Sequence, residues 1–226
     1  GSSPFIRFML GLFAMICALV FLGCPWRSLL RLAGGDGNAL FGVAGLITGI
    51  FIGVQFLQRG FSLGRAYKTN NASSWFFPGF MLVLLAFAIF TPKFGEQAIF
   101  TSASGPGSMH APLAISLVAG LFIGFLAQRS RFCTMGAFRD LFIVRDLHLF
   151  SGVLSLVVFA SVTNLLLGQF KMGFEGQPIA HSNALWNFLG MVLSGLAFVL
   201  AGGCPGRQLI LAGEGDSDAS VFVMGM

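Results

Sequence analysis

Long apolar stretches separated by short polar linkers run along the whole chain. Five or six of them have the length and composition of a membrane-spanning helix, which needs about 20 mostly apolar residues. They cover residues 5–22, 39–57, 75–90, 112–127, 149–170 and 185–202, and a seventh apolar run begins at Ala219. The third is short and holds Pro78 near its start. The pattern predicts an all-α polytopic membrane protein with about six transmembrane helices.

The composition supports a lipid environment. Only 9% of the 226 residues are charged and 56% are hydrophobic, whereas an ordinary soluble domain is about 25% charged. The 31 glycines suit membrane helices, because small residues let helix backbones approach closely. The net charge of +5 comes from basic residues in the linkers, with no basic patch of the kind that binds nucleic acid. We therefore expect a protein partnered by the lipid bilayer and not by nucleic acid.

The linkers predict an orientation in the membrane. Linkers 59–74 and 129–148 are basic, whereas linkers 94–111 and 171–183 are polar and nearly free of basic residues. The positive-inside rule places the two basic linkers in the cytoplasm and the two polar ones outside. Alternation then puts the turn after the first apolar run outside and the turn after the sixth run inside.

Those two turns carry the same motif. Residues 23–34 and 203–213 share Gly-Cys-Pro-x-Arg, then Leu, then Leu-Ala-Gly with a one-residue gap, and both continue into an acidic, glycine-rich turn. The spacing exceeds the 20–50 residues of a solenoid repeat and fits the two halves of a transporter. Because the copies approach the bilayer from opposite faces, we expect inverted half-repeats of about 1–111 and 112–226 within one transmembrane domain, 1–226.

Both ends of the chain look cut. It opens with Gly1-Ser2-Ser3 rather than Met, and it ends inside the apolar run 221–226. The first apolar run has no small-residue cleavage site, so it is not interpreted as a signal peptide. We expect a domain truncated at both ends.

The Gly-Cys-Pro-x-Arg motif predicts a broken helix with an anion site. Gly suits a helix end, and Pro suits the first turn of a new helix. Cys24 and Cys204 then lie at a helix N-terminus, where backbone N–H groups and the helix dipole favour negative charge. Arg27 and Arg207 fall on the same helix face as their cysteines, and a charge at membrane depth is a functional candidate.

A third motif follows the fourth apolar run. Cys133 lies here with Arg131 nearby, while Arg139 and Asp140 are interpreted as a local ion pair. Thiols and guanidinium groups at helix N-termini suit a small sulfur- or selenium-bearing anion. The simpler interpretation is a buried turn with arginines that reach for lipid headgroups. Two copies that keep Cys and Arg favour function.

Other residues add less. Cys17 lies inside an apolar run and is predicted to be a packing residue. The cysteine spacing does not match a zinc site and the chain has no phosphate-binding loop, so no metal or cofactor is predicted. Asp36, Asp216 and Asp218 are predicted to cap the helices that follow them, with a role in ion coupling as the alternative.

The motifs resemble a known family, the YeeE/YedE membrane proteins of sulfur transport, and in particular its YedE-related branch linked to selenium metabolism. The matching stretches are 21–34, 129–146, 168–180, 185–190 and 202–216. The resemblance implies a multi-pass protein of the bacterial inner membrane with pseudo-symmetric halves. It also implies that Cys24, Cys133 and Cys204 line a narrow central path and pass the substrate by weak S–H contacts. Family members carry a further Phe-Cys and Arg-Asp element before the first Gly-Cys-Pro, which this chain lacks.

The leading functional prediction is a transporter, not an enzyme, for a small sulfur or selenium anion such as thiosulfate or a selenium oxyanion. One alternative is a membrane transferase that forms a persulfide on Cys133 and hands it to a soluble sulfur- or selenium-carrier protein. Another is an anchoring subunit, in which Cys24 and Cys204 could both become Ser without loss. The sequence leaves the oligomeric state open.

Overall fold

A computed structural model describes residues 3–64, 71–91, 93–94, 97–98, 108 and 110–226. Its helices are α1 Pro4–Phe21, α2 Pro25–Ala33, α3 Asn38–Gln58, α4 Asn71–Phe90, α5 Leu113–Ser130, α6 Thr134–Ile143, α7 His148–Leu166, α8 Ala184–Ala201, α9 Pro205–Gly213 and α10 Ser217–Gly225. Two short strands, β1 Lys93–Phe94 and β2 Gln97–Ala98, pair in antiparallel fashion. Much of the predicted outer linker 94–111 and part of linker 59–74 lie outside the described residues.

The prediction of an all-α membrane protein is confirmed. Among the described residues, five helical stretches are long and apolar enough to cross a membrane, and the apolar part of α4, Ser74–Phe90, is shorter. The five are Pro4–Ala33, Asn38–Gln58, Leu113–Ile143, His148–Leu166 and Ala184–Gly213. The fifth predicted run extended to residue 170, which is wrong, because Gly168 takes a left-handed φ of 66° and α7 ends at Leu166.

Glycines bring the central helices α3 and α8 into close contact. A Cβ at Gly45 or Gly49 would strike the backbone carbonyl of Phe188 or Val192, and a Cβ at Gly195 would lie 2.6 Å from the Leu46 carbonyl oxygen. By contrast, α5 and α7 each bury only one residue and expose apolar side chains that suit lipid. The core lies along α1, α3 and α8, with buried residues of α6 and α10 packed into it.

Helices α1 and α8 run antiparallel. Near the start of α1, Arg7 Nη1 donates to the carbonyl oxygen of Ala201 at the end of α8, at 3.5 Å. At the other end, His181 Nε2, just before α8, lies 2.6 Å from the carbonyl oxygen of Val20. The two Gly-Cys-Pro motifs therefore follow helices of opposite direction, as an inverted repeat requires.

The two motif copies fold alike. Helices α2 and α9 each have nine residues, and each follows an extended cysteine and begins at proline. The turns after them place Gly35 and Gly215 at left-handed φ values of 94° and 90°. A constant offset of 180 residues therefore relates the two helices and the turns after them, so the shared Leu-Ala-Gly letters lie one position out of structural register. The division into half-repeats 1–111 and 112–226 stays a prediction.

Candidate functional site

Two buried thiols meet where two short helices begin. Cys133 is the N-cap residue of α6 and Cys204 is that of α9, and both have extended backbone conformations. Their residues are 7% and 0% exposed, and both thiols are free. The two thiols lie close enough to interact directly with each other. The structure thus brings together two of the three predicted path cysteines.

Backbone donors surround this thiol pair. The N–H of Gly136 donates to Cys133 Sγ at 3.3 Å, and the backbone N–H of Cys204 also acts on that sulfur. Around Cys204 Sγ, the acting backbone N–H groups belong to Thr134 and Arg207. Each sulfur therefore faces the N-termini of both half-helices, the environment that a helix offers to an anion.

Two further groups beside the thiol pair were missed by sequence reasoning. Thr134 is fully buried, and its hydroxyl has no hydrogen-bond partner among the described residues. Arg139 forms the predicted local pair, with its Nε 2.9 Å from Asp140 Oδ1, but its charge also acts on the Cys133 thiol. Their position in the sequence could have indicated a role beside the thiols, because both residues follow Cys133 within the first two turns of α6.

Trp26 connects the Cys24 motif to the other two. An added Cβ at Gly206 would lie 2.7 Å from Trp26 Cζ2, so the indole packs directly on that glycine. The Trp26 ring also lies 5.9 Å from the Phe132 ring, next to Cys133. Cys24 itself is partly exposed and makes no side-chain cap hydrogen bond. The three cysteine motifs therefore converge around one indole.

The three predicted arginines differ in placement. The Arg27 side chain folds back over Gly23, and its buried Nε has no partner among the described residues. Arg207 Nη1 donates to Gln128 Oε1 at 3.0 Å. Arg131 ends α5 at a left-handed φ of 52° and is exposed. The role of all three as path residues stays a prediction.

The predicted helix-capping aspartates also differ. Asp216 is the N-cap of α10 and accepts the N–H of Ala219 at 3.0 Å, which confirms its capping role. Asp36 accepts the N–H of Asn38 at 2.9 Å, at the start of α3. Asp218 lies in the first turn of α10 rather than before it.

Comparison with known proteins relates the second half of the sequence to a family. The model of the Sulphur transport family matches residues 129–226, which hold both thiols of the buried pair. This part of the chain is similar to the YeeE/YedE sulfur-transport family. Within that family, the placement in the branch linked to selenium metabolism stays a prediction.

Two curated relatives are named as thiosulfate transporters. The thiosulfate transporter TsuA of Escherichia coli K12 is 33% identical over 111 residues, 47% of this chain and 30% of the relative. The protein of the same name from Spirochaeta thermophila is 33% identical over 100 residues, 44% of this chain and 29% of the relative. The chain thus spans less than a third of the length of either relative. No solved structure is significantly similar to it.

Proposed function

We propose that the chain forms part of a transporter for a small sulfur-bearing anion such as thiosulfate, in the bacterial inner membrane. Its substrate path is lined by Cys24, Cys133 and Cys204. The observation that carries the proposal is the buried contact between the Cys133 and Cys204 thiols at two facing helix N-termini. Packing alone does not require two thiols at this position. Thiols beside backbone N–H groups do suit an anion that carries both sulfur and oxygen.

Binding in this path needs no covalent bond. The thiols offer weak S–H donors and soft sulfur surfaces to the terminal sulfur of the anion. The backbone N–H groups around the two sulfurs suit its oxygens. Conduction requires contacts that are strong enough to admit an ion and weak enough to release it, and thiol contacts meet that requirement.

The arginines lower the cost of bringing an anion to membrane depth. Arg27 and Arg207 each follow their motif cysteine by three residues, near the start of α2 and α9. A guanidinium group keeps its charge at all physiological pH values and offers several donors to oxyanions. We propose that these two cations offset the desolvation of the anion on either side of the thiol pair.

The test is uptake of labelled thiosulfate by proteoliposomes that contain the full-length parent protein. The variants are Cys133→Ser and Cys204→Ser, with Cys17→Ser as the matched control, since Cys17 lies within α1 and belongs to none of the three motifs. We expect wild-type and control uptake to be equal and both path variants to lose most of it. Full uptake by both path variants would overturn the path assignment. A parallel series with labelled selenite tests the selenium prediction.

A further inference from the structure

A half-open cavity of about 550 Å³ lies beside the Cys24 motif, between the turn that follows α2 and the segment that follows α7, and several charged and polar residues line it. Its polar lining comes from Arg27, Arg31, Asp36, Asn164, Gln169 and Lys171 among others. Three of these side chains are cations and one is a carboxylate, so the formal charge of the lining is +2 (three minus one). The cavity is therefore a positively charged chamber next to the proposed path.

Backbone hydrogen bonds fix the walls of this chamber to each other. The N–H of Lys171 donates to the Gly34 carbonyl at 2.9 Å, and the N–H of Gly173 donates to the Gly35 carbonyl at 3.1 Å. The N–H of Gly37 returns a bond of 2.8 Å to the Gly173 carbonyl. The segment after α7 is thus held against the turn after α2, so backbone hydrogen bonds fix the shape of the chamber.

Arg31 contributes a buried charge with donor capacity to spare. Its side chain is 7% exposed, and its Nε lies 2.7 Å from Asp36 Oδ2. Its Nη1 donates to the Phe21 carbonyl at 2.8 Å, whereas its Nη2 has no partner among the described residues. The other Asp36 oxygen, Oδ1, already accepts from Asn38. Buried polar groups are normally paired, so an orphaned guanidinium donor beside a cavity points to a ligand.

Arg27 repeats this pattern one helical turn earlier. It lies four residues before Arg31 on α2, so the two guanidinium groups share one helix face. Its Nε is also buried without a partner among the described residues. Lys171 stands exposed on the opposite wall, with its Nζ 2.9 Å from the Gly176 carbonyl. An ammonium group has three donors, so this bond leaves capacity for a ligand.

We propose that this chamber is a binding site for a small oxyanion that carries two negative charges, such as thiosulfate or sulfate. It would hold the anion on Arg31, Arg27 and Lys171 before it reaches the thiols. This inference rests on the proposed transport function for its role, but the binding itself does not depend on transport. Position 211, which is equivalent to Arg31 by the 180-residue offset, is a leucine in α9. The capture site is therefore built on one motif copy only.

The test compares three variants of the full-length protein with wild type. Lys171→Gln removes the exposed charge without disturbing the core. The pair Arg31→Met with Asp36→Asn removes both members of the buried ion pair, so that neither charge is left unpaired. Arg145→Gln is the matched control, because Arg145 is an exposed cation before the start of α7, whereas Lys171 follows its end.

Two measurements are made on each protein. Calorimetry with the purified protein measures the dissociation constants of thiosulfate and of sulfate, and proteoliposome uptake measures the half-saturating thiosulfate concentration. We expect Lys171→Gln to raise all three values by about threefold to tenfold, with maximal uptake unchanged, since one charged contact is lost. The double variant should bind neither anion measurably, and Arg145→Gln should match wild type.

The outcomes separate this proposal from the transport proposal. Unchanged binding and half-saturation in Lys171→Gln, while the wild type transports, would overturn the chamber and leave transport standing. The wild type could instead bind thiosulfate without transporting it, while Lys171→Gln loses the binding. That result would support the chamber and overturn the proposed function. If the double variant does not fold, the comparison of Lys171→Gln with Arg145→Gln decides alone.

Discussion

The Cys133 thiol interacts directly with the Cys204 thiol, and this contact joins the N-terminus of α6 to the N-terminus of α9 inside the helical core. Two half-helices that meet head to head would repel each other through their dipoles unless something between them carries negative charge or accepts hydrogen bonds. The sulfur atoms fill that position. An anion that enters between them would meet donors from both helices.

This contact predicts a specific cross-link. The small oxidant diamide takes up two hydrogen atoms from two thiols, and we expect it to join Cys133 and Cys204 as a disulfide. The bond would occupy the space that the substrate needs, so thiosulfate uptake should fall by about tenfold or more and return after reduction with dithiothreitol. Peptide mass spectrometry identifies the linked residues.

The matched control for the cross-link is a protein with Cys133→Ser. After diamide treatment, peptide mass spectrometry should find no disulfide on its Cys204, although Cys24 and Cys17 remain. A disulfide between Cys24 and Cys17 in the wild type, with Cys133 and Cys204 left reduced, would contradict the geometry.

Thr134 allows function to be separated from stability. Its buried hydroxyl has no partner among the described residues, and replacing such a group by an apolar one of similar shape is neutral or stabilising. We therefore expect Thr134→Val to keep or raise the thermal unfolding temperature while uptake falls about threefold or more. The measurements are detergent-solubilised thermal unfolding and proteoliposome uptake. A variant that loses stability and uptake together would show that the hydroxyl is structural.

Local features of the fold could be predicted from the sequence. Apolar runs of membrane-spanning length gave the helices, and Gly-Cys-Pro gave the breaks that place Cys24 and Cys204 at helix starts. These features depend on residues that are close in the chain. The end of α7 was misplaced because residues 167–170 include apolar side chains, and hydrophobicity alone does not reveal the left-handed turn at Gly168.

Contacts between distant segments could not be predicted. The pairing of Cys133 with Cys204 depends on how α6 packs beside α9. The residues of either motif do not determine how the two helices are oriented relative to each other. Arg31 illustrates the same limit. In the sequence it is one more arginine after the motif. Only the fold shows that its Nε and Nη1 donate to Asp36 and Phe21, while Nη2 has no partner among the described residues.

The buried ion pair predicts a large asymmetry between single variants. Asp36→Ala leaves the Arg31 charge buried without its carboxylate, which typically costs about 3–5 kcal/mol. The matched control is Asp140→Ala, because its pair with Arg139 is partly exposed and such pairs contribute about 0–1 kcal/mol. Thermal unfolding in detergent should show a large loss for the first variant and little for the second. Equal losses would contradict the buried character of the Arg31 pair.

Glycine packing between α3 and α8 gives the last prediction. A Cβ at Gly49 would strike the Val192 carbonyl and also lie 2.9 Å from the Leu196 backbone nitrogen, and backbone atoms cannot move aside as a side chain can. Gly49→Ala should therefore destabilise the protein, even though alanine is the better helix former by about 1 kcal/mol. Gly120 in α5 is the matched control, since an added Cβ there meets no atom of the described residues within 4 Å. We expect Gly120→Ala to leave thermal unfolding unchanged or to raise its midpoint, because only the helix propensity changes. A Gly49→Ala variant as stable as Gly120→Ala would mean that α3 and α8 do not approach as closely as described.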